Sequence, residues 1–210
     1  MATKMKPNPD QYFSENPESQ ARFGLVRTCL NGKPFEFTTG SSVFSIKRVD
    51  PGTRVLIESM VLPDKGFVLD VGCGYGAVGI SAAKSNPKLR VVMTDVNRRA
   101  ILLARQNAEK NRAFNVEVRQ GSLYTPVKNY CFNSILSNPP VSAGMETVEA
   151  IIRGAPAVMA PAATLQMVLR SKIGKKTLPA VFTETFGNFK VHAIESGYRV
   201  LMAEKRAAPN

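Results

Sequence analysis

The sequence predicts an α/β fold, in which a mostly parallel sheet of seven strands is flanked by helices. Short apolar runs, typical of strands buried on both faces, alternate along the chain with segments of helical periodicity. A glycine-rich segment, residues 72–79, connects one of these runs to the next helical segment, as in the strand–helix turns of parallel sheets. Near the carboxyl end, two β-rich runs flank Ser196-Gly197 and predict a closing hairpin, with an antiparallel last strand.

An extension with a hairpin of its own precedes the domain, which we place at residues 51–210. In this extension, residues 1–50, two β-rich runs, Leu25–Leu30 and Phe35–Thr39, are separated by Asn31-Gly32-Lys33. Because Asn-Gly tolerates the positive φ angles of a tight turn, the pattern predicts a β-hairpin.

Apolar spacing and capping residues predict the elements of the domain. Asp50 is the predicted cap of a first helix, and Pro51 fits the first turn of that helix. Strands are predicted in chain order at Phe67–Val71, Arg90–Thr94, Val116–Arg119, Phe132–Ser137, Thr164–Leu169, Phe189–Ile194 and Arg199–Ala203. Helices between them are predicted at Gly76–Lys84, from the Asn97 cap to Arg112, and at Glu146–Val158. No helix is predicted between the fifth strand and the closing hairpin.

Composition excludes several classes of protein. A single histidine, His192, and the lack of a Cys-x-x-Cys pair exclude the usual zinc sites, so no metal is expected. Three cysteines without paired spacing do not form a secreted disulfide framework. No apolar run reaches the ~18 residues of a membrane helix, and the first residues show no apolar signal region. We therefore expect a soluble, cytoplasmic protein that does not bind a membrane.

The charge of the chain bears on its partners. Lys and Arg number 28 against 16 Asp and Glu, which gives a net charge of +12. This excess fits the binding of an anionic polymer such as nucleic acid, and it fits a merely basic cytosolic protein equally well. The oligomeric state is left open, with a monomer as the favoured expectation.

The glycine-rich segment is the most informative part of the sequence. Gly72, Gly74 and Gly76 let the backbone turn sharply and approach a ligand, and the following helix directs its amide groups at the same place. Gly74-x-Gly76-x-x-Gly79 fits the dinucleotide fingerprint, but Asp70 ahead of it completes the nucleoside-binding loop Asp-x-Gly-x-Gly-x-Gly of S-adenosylmethionine-dependent methyltransferases. Asp70 favours the second interpretation, because a carboxylate repels a pyrophosphate but orients the ammonium group of adenosylmethionine.

Two further segments are candidates for nucleoside contacts. Asp95 ends the second strand, where an acidic residue accepts hydrogen bonds from both ribose hydroxyls. Both cofactor classes use such a residue, and a capping role before the helix at Asn97 is the alternative. Ser122 and Leu123 follow the third strand, where they can meet the adenine amine and ring, or form an ordinary polar loop.

The fourth strand leads into the second diagnostic motif, Ser137-Asn138-Pro139-Pro140. Two prolines remove two N–H donors and make a rigid loop that is rich in acceptors. The side-chain carbonyl of Asn138 and the main-chain carbonyl of Pro139 can accept the two hydrogens of a planar exocyclic amine. Such a site needs positioning and electrostatics rather than a general base. A simple strand-ending turn is the alternative.

Together these motifs carry a resemblance to a known family. The matching segments are Gln11-Tyr-Phe-Ser-Glu-Asn-Pro17, the hairpin, Val43-Phe-Ser45, Val49-Asp-Pro-Gly-Thr53, Val68–Gly76, Asp95, Gly121-Ser-Leu-Tyr-Thr-Pro126, Ser137–Pro140 and Gly197-Tyr-Arg-Val-Leu201. The chain resembles the small-domain class I methyltransferases, whose members include guanine-N2 methyltransferases of small-subunit ribosomal RNA, and especially their short, single-domain archaeal-type versions. The resemblance implies a Rossmann-like class I methyltransferase fold and S-adenosyl-L-methionine as the cofactor.

The resemblance also assigns roles to residues. Asp70, Gly72, Gly74 and Gly76 contact the methionine and nucleoside, Asp95 the ribose, Ser122 and Leu123 the adenine, and Asn138, Pro139 and Pro140 the target amine. Phe44 lies in a segment that resembles a lid over this pocket. Three departures stand out: Ser122 where many relatives are acidic, Gln11 where many have His, and Val141 where many have Tyr or Phe. Since Val141 packs on a ring without stacking, we expect Phe44 or Phe13 to supply the aromatic face.

Two groups of cations are candidates for RNA binding. Lys47 and Arg48 adjoin Phe44, and four cations follow the fifth strand at the carboxyl edge of the sheet: Arg170, Lys172, Lys175 and Lys176. The two groups can flank one groove that binds phosphates around an extruded base. A solvated face is the alternative, as for most runs of charge.

The leading hypothesis is methyl transfer from S-adenosylmethionine to an exocyclic base amine of RNA, with guanine N2 of ribosomal RNA, free or in a subunit, as the expected target. A protein glutamine amide is the alternative acceptor, which the charge and Val141 disfavour. A nicotinamide-dependent oxidoreductase explains Asp95 and the glycines but leaves Asp70 and the Asn-Pro-Pro motif unexplained. An inactive RNA-binding relative also fits the sequence.

Overall fold

The computed structural model describes residues 22–206 and, ahead of them, Glu15 and Gln20. Phe13, Gln11 and most of the motif that begins there lie outside the described residues. The strands are β1 Phe23–Leu30, β2 Lys33–Gly40, β3 Gly66–Val71, β4 Leu89–Asp95, β5 Val116–Gln120, β6 Phe132–Ser137, β7 Met159–Arg170, β8 Lys190–Glu195 and β9 Tyr198–Glu204. The helices are α1 Pro51–Ser59, α2 Ala77–Ser85, α3 Arg98–Lys110, α4 Met145–Gly154 and α5 Leu178–Phe186.

Seven strands form the main sheet in the order β5-β4-β3-β6-β7-β9-β8. Strands β3 to β7 pair in parallel, whereas β9 runs antiparallel to both of its neighbours, β7 and β8. This arrangement confirms the predicted fold. The chain order reverses between β3 and β6, and in open α/β sheets such a switch point opens a crevice at the carboxyl ends of the strands.

The amino-terminal hairpin forms its own two-stranded sheet and packs on α3. Its turn residues Asn31 and Gly32 both have positive φ, 48° and 71°, as the Asn-Gly pair predicts. Asn107 of α3 fastens the hairpin, since its Oδ1 accepts the N–H of Thr38 at 2.7 Å and its Nδ2 donates to the carbonyl of Thr38 at 2.9 Å. Phe35 and Phe37 are buried in the same apolar cluster as residues of α2 and α3. The division of the chain at residue 50 stays a prediction.

Three elements differ from the prediction. Helix α5, which was not predicted, buries Leu178, Val181, Phe182 and Phe186 and ends at Gly187 with a φ of 68°. The predicted helix Glu146–Val158 ends as α4 at Gly154, because Pro156 interrupts the α-helical bonds and residues 155–158 form a 3₁₀ turn. Strand β7 begins five residues earlier than predicted, and its pairing with β6 shifts between Phe132 and Ser134. Among the described helices, none has the length and apolarity needed to cross a membrane.

Candidate functional site

A cavity of about 380 Å³ opens at the carboxyl ends of β3, β4, β5 and β6. Ten of the residues predicted from the sequence line it: Phe44, Asp70, Gly72, Gly74, Asp95, Ser122, Leu123, Asn138, Pro139 and Pro140. The fold thus brings together segments from residue 44 to residue 140 at the switch point between β3 and β6. The sequence did not single out Thr53, Tyr75, Thr147 and Ile151, which also line the cavity.

In the glycine loop between β3 and α2, residues 72–76, the backbone of Gly72 and Gly74 lines the cavity without side chains. Gly72 and Gly74 have φ angles of 72° and 57°, and a Cβ atom at either position would meet no atom within 4 Å. Gly76 does not line the cavity: with a φ of 95° it begins α2, and a Cβ there would lie 2.9 Å from Ile80 Cδ1. Gly76 therefore serves the turn and the packing of α2 rather than forming part of the cavity wall.

Asp70 is a buried carboxylate at the end of β3. Its Oδ2 accepts the backbone N–H of Gly79 at 2.8 Å, which ties the strand to α2. Burial raises the pKa of Asp70 to about 7, and the nearby charge of Asp95 acts in the same direction, while the bond from Gly79 opposes both. A cationic ligand group in the cavity would return this carboxyl to its ionised form.

The carboxylate of Asp95 accepts hydrogen bonds from the backbone of two different segments. Its Oδ2 accepts the N–H of Gly74 at 2.9 Å, and its Oδ1 accepts the N–H of Asn97, also at 2.9 Å. The cap of α3 is Asn97, whose side chain accepts hydrogen bonds from Arg99 and Ala100. Asp95 is therefore not the helix cap itself. Burial raises its pKa to about 6, against the lowering effect of its backbone hydrogen bonds.

The remaining walls come from two loops. Ser122 and Leu123 follow β5, and this loop is joined to β4 by the hydrogen bond from Gly121 N–H to the carbonyl of Asp95 at 2.9 Å. Phe44 lies in the segment between β2 and α1, with 37% of its surface exposed. The carbonyl of Ser42 in this segment accepts a hydrogen bond from Asn97 Nδ2 at 2.7 Å. The predicted lid is thus anchored to the amino end of α3.

Asn138 has a fixed orientation. Its Nδ2 donates to Thr53 Oγ1 at 2.9 Å and to Asp50 Oδ2 at 3.2 Å, so both amide hydrogens have acceptors and Oδ1 remains to accept. Pro140 has φ −74° and ψ 79°, an inverse γ-turn in which Val141 N–H donates to Pro139 O at 2.9 Å. The Pro139 carbonyl therefore keeps one lone pair for a further donor. Asp50 caps α1 as predicted, and its contact with Asn138 was not foreseen.

The other predicted substrate residues lie outside the cavity. Val141 packs against the apolar core, and Lys47 and Arg48 line a separate groove beside Leu25. Four predicted cations lie near or beyond the end of β7: the guanidinium of Arg170 stacks over the ring of Tyr198 at 5.5 Å, and Lys172, Lys175 and Lys176 are exposed in the loop to α5. Because β6 and β7 are parallel, this loop lies at the same edge of the sheet as Asn138. In the described part of the chain, no cluster of His, Cys, Asp and Glu is suited to a metal ion.

Comparisons with known proteins agree with this arrangement. The family profile "Methyltransferase small domain" matches residues 34–202. An uncharacterized protein of Bacillus subtilis, YbxB, is 37% identical over 93% of this chain and 98% of its own length. The ribosomal RNA small subunit methyltransferase C of Shigella flexneri serotype 5b is 33% identical over 77% of this chain, which spans about half the length (47%) of that relative.

Solved structures show the same fold. The 16S rRNA N2 G1207 methyltransferase of T. thermophilus, solved with AdoMet and guanosine, superposes with a TM-score of 0.76 over 90% of this chain and 52% of its own. Sequence identity is 23%, so the likeness concerns the fold. A ribosomal protein L11 methylase of Lactobacillus delbrueckii superposes with a TM-score of 0.61 over 78% of this chain at 21% identity.

Proposed function

The chain belongs to the methyltransferase small domain family, and from this premise we propose that it methylates the exocyclic N2 amine of a guanine in small-subunit ribosomal RNA. Family membership confirms the predicted enzyme class, an S-adenosylmethionine-dependent methyltransferase. It also decides against a nicotinamide-dependent oxidoreductase, which left Asp70 and the Asn-Pro-Pro motif unexplained.

The residues at one end of the cavity fit S-adenosylmethionine. That cofactor supplies a methyl group on a cationic sulfonium, together with an ammonium group and a nucleoside. Asp70 would face the cationic end and Asp95 the ribose, because an ionised carboxylate suits a cation and accepts from two hydroxyls. Gly72 and Gly74 leave the backbone free of Cβ atoms where a ligand must approach. Ser122 and Leu123 would border the adenine.

A single observation carries the proposed reaction, the oriented carboxamide of Asn138. Its Oδ1 and the free lone pair of the Pro139 carbonyl are two acceptors for the two hydrogens of an amine. An amine held in this way keeps its nitrogen lone pair directed away from the acceptors. Since the acceptors are fixed before the amine arrives, no reorganisation is needed as positive charge develops on the nitrogen. Asn138 and Pro139 therefore act as catalytic residues, and Pro140 keeps their loop rigid.

Two observations favour RNA as the acceptor over a protein amide. The net charge of +12 suits a polyanion, and the exposed Lys172, Lys175 and Lys176 follow β7 at the same edge of the sheet as Asn138. Lys47 and Arg48 line a separate groove, next in the chain to the lid segment that holds Phe44. The relatives named as ribosomal RNA methyltransferases point to the same substrate. Phe44, partly exposed on the cavity wall, is an aromatic residue that can pack on an extruded guanine.

Transfer of labelled methyl groups tests the proposal. The protein and its N138A variant are incubated with labelled S-adenosylmethionine and with RNA or ribosomal subunits from a strain that lacks the gene. The RNA is then digested to nucleosides. We expect label in N2-methylguanosine with the native protein and almost none with the variant. Label in another nucleoside, or in protein glutamine, would contradict the proposed acceptor.

A further inference from the structure

We infer that Asp50 is a positioning residue for Asn138: it holds the carboxamide with Oδ1 towards the acceptor amine and places a negative charge behind it. The inference rests on the proposed function, since it concerns how the same site binds its amine. Asp50 precedes Asn138 by 88 positions, and the two side chains meet because α1 begins beside the loop that follows β6.

The side-chain nitrogen of Asn138, Nδ2, donates to two acceptors. Thr53 Oγ1 lies at 2.9 Å and Asp50 Oδ2 at 3.2 Å. A hydroxyl can donate or accept, so Thr53 alone would tolerate either flip of the amide. An ionised carboxylate can only accept, and a flipped amide would bring two oxygens together without a hydrogen between them. Asp50 therefore decides which end of the amide faces the amine.

The position of Asp50 is itself fixed. Its Oδ2 accepts the backbone N–H of Thr53 at 3.0 Å, as the cap of α1. The side chain of Thr53 is nearly fully buried, so the two acceptors and the helix start form one rigid unit. A Cβ at Gly52 would lie 2.7 Å from the ring of Tyr198, which shows how closely this helix start packs. Rigid acceptors make the orientation of Asn138 a property of the fold.

The charge of Asp50 supplies the second half of the inference. Within the described residues, Asp50 forms no ion pair with a cation. Burial raises the pKa of Tyr75 on the cavity wall, and the negative charge of Asp50 acts in the same direction, so this charge reaches the cavity. The carboxylate of Asp50 accepts a hydrogen bond from Nδ2 and so polarises the amide of Asn138. This polarisation makes Oδ1 a stronger acceptor as positive charge develops on the attacking amine.

A purely structural role as the cap of α1 predicts different behaviour. The D50S variant keeps an oxygen that can cap the helix, but it removes the negative charge at Asn138 and replaces an obligate acceptor by a hydroxyl, which tolerates either flip of the amide. The E58Q variant is the matched control, because it removes one negative charge from the same helix without touching Asn138. Melting temperatures show whether each variant keeps its fold.

The first measurement needs no acceptor. The side-chain amide of Asn138 is observed by 15N NMR, assigned by its loss in N138A. We expect the exchange of its hydrogens with solvent to speed up by about tenfold in D50S and to stay unchanged in E58Q. Equal exchange rates in the native protein, D50S and E58Q would overturn the inference. This result is independent of whether the protein methylates RNA.

The second measurement is turnover with the RNA substrate. We expect D50S to lower kcat by about tenfold, with the KM for S-adenosylmethionine unchanged and no further loss when combined with N138A. Additive losses in the double variant would show that Asp50 acts independently of Asn138 and would overturn the inference. A native protein that transfers no label to RNA would instead reject the proposed function, and the NMR result would still decide the role of Asp50.

Discussion

Asp95 and Gly74 are joined by a hydrogen bond of 2.9 Å, from the amide of the glycine loop to Oδ2 of the carboxylate. Oδ1 of the same carboxylate holds the amide of Asn97 at the start of α3. The loop after β3 and the helix after β4 are therefore positioned by a single side chain. The part of the cavity proposed for the ribose and the part proposed for the methionine form one unit.

Replacing Asp95 tests this coupling. We expect D95A to raise the dissociation constant of S-adenosylmethionine by about 10- to 100-fold, because each lost hydrogen bond to a charged group contributes about 1.5–3 kcal/mol. Isothermal titration calorimetry measures the change, and D95N, which keeps one acceptor oxygen, should lose less. Unaltered affinity in D95A would reduce Asp95 to a support for the cap of α3.

The raised pKa values of Asp70 and Asp95 predict a pH-dependent affinity. Their pKa values lie at about 7 and about 6 in the folded protein, so both carboxyls gain protons as the pH falls through this range. A cationic cofactor favours the ionised forms. We therefore expect binding of S-adenosylmethionine to release protons at pH 6.5 and to strengthen between pH 6 and 8. Calorimetry in two buffers of different ionisation enthalpy counts the protons, and D70N should release fewer.

The same shifts predict how the unliganded protein responds to pH. Because burial raises both pKa values above those of the unfolded chain, the unfolded chain ionises first as the pH rises. The contribution of these two groups to the free energy of unfolding therefore decreases as the pH rises from about 4 to about 7. D70N should flatten this dependence in urea unfolding curves. An unchanged dependence in the variant would mean that Asp70 titrates normally.

Asn138 should matter for turnover and not for cofactor binding. We expect N138A to lower kcat by about a hundredfold or more, as when one preorganised polar group is lost from an active site. Calorimetry should show nearly unchanged affinity for S-adenosylmethionine, since Asp70 and Asp95 remain in place. A fully active N138A would remove Asn138 from the proposed mechanism.

Local signals predicted much of the fold and the cavity. Asn31-Gly32, the Asp50 cap and the glycines after β3 each act within a few residues, so their conformations could be inferred from sequence. Helix α5 was missed because it is only nine residues long and contains the β-branched residues Val181, Thr183 and Thr185, which weaken its helical pattern. The helix is stabilised by contacts with distant segments: it buries Phe182 and Phe186 in the apolar core, and Glu184 pairs with Arg153 of α4 at 3.1 Å.

Contacts between segments that are distant in the sequence could not be predicted from local sequence patterns. The motif Val49–Thr53 was noticed, but Asp50 was given only a helix-capping role, because nothing local connects it with Asn138. Val141 follows the γ-turn at Pro140, where it is half-buried against the core and does not line the cavity, so its contact with the substrate stays a prediction. Gly76 follows the glycine pattern but faces Ile80 and Met93. In each case the deciding neighbour comes from a turn or an element that the pattern does not describe.

The three lysines between β7 and α5 should contribute to RNA affinity. Lys172, Lys175 and Lys176 are exposed at the cavity edge of the sheet, and none has an ion pair among the residues that the structure covers. We expect their replacement by alanine to weaken RNA binding and to lower the slope of log K against log salt by about 2, because three phosphate contacts are lost. The matched control replaces Lys65, Lys88 and Lys128, which are exposed at the amino ends of β3, β4 and β6. Equal effects of the two triple variants would show that only net charge matters and that RNA does not follow the loop.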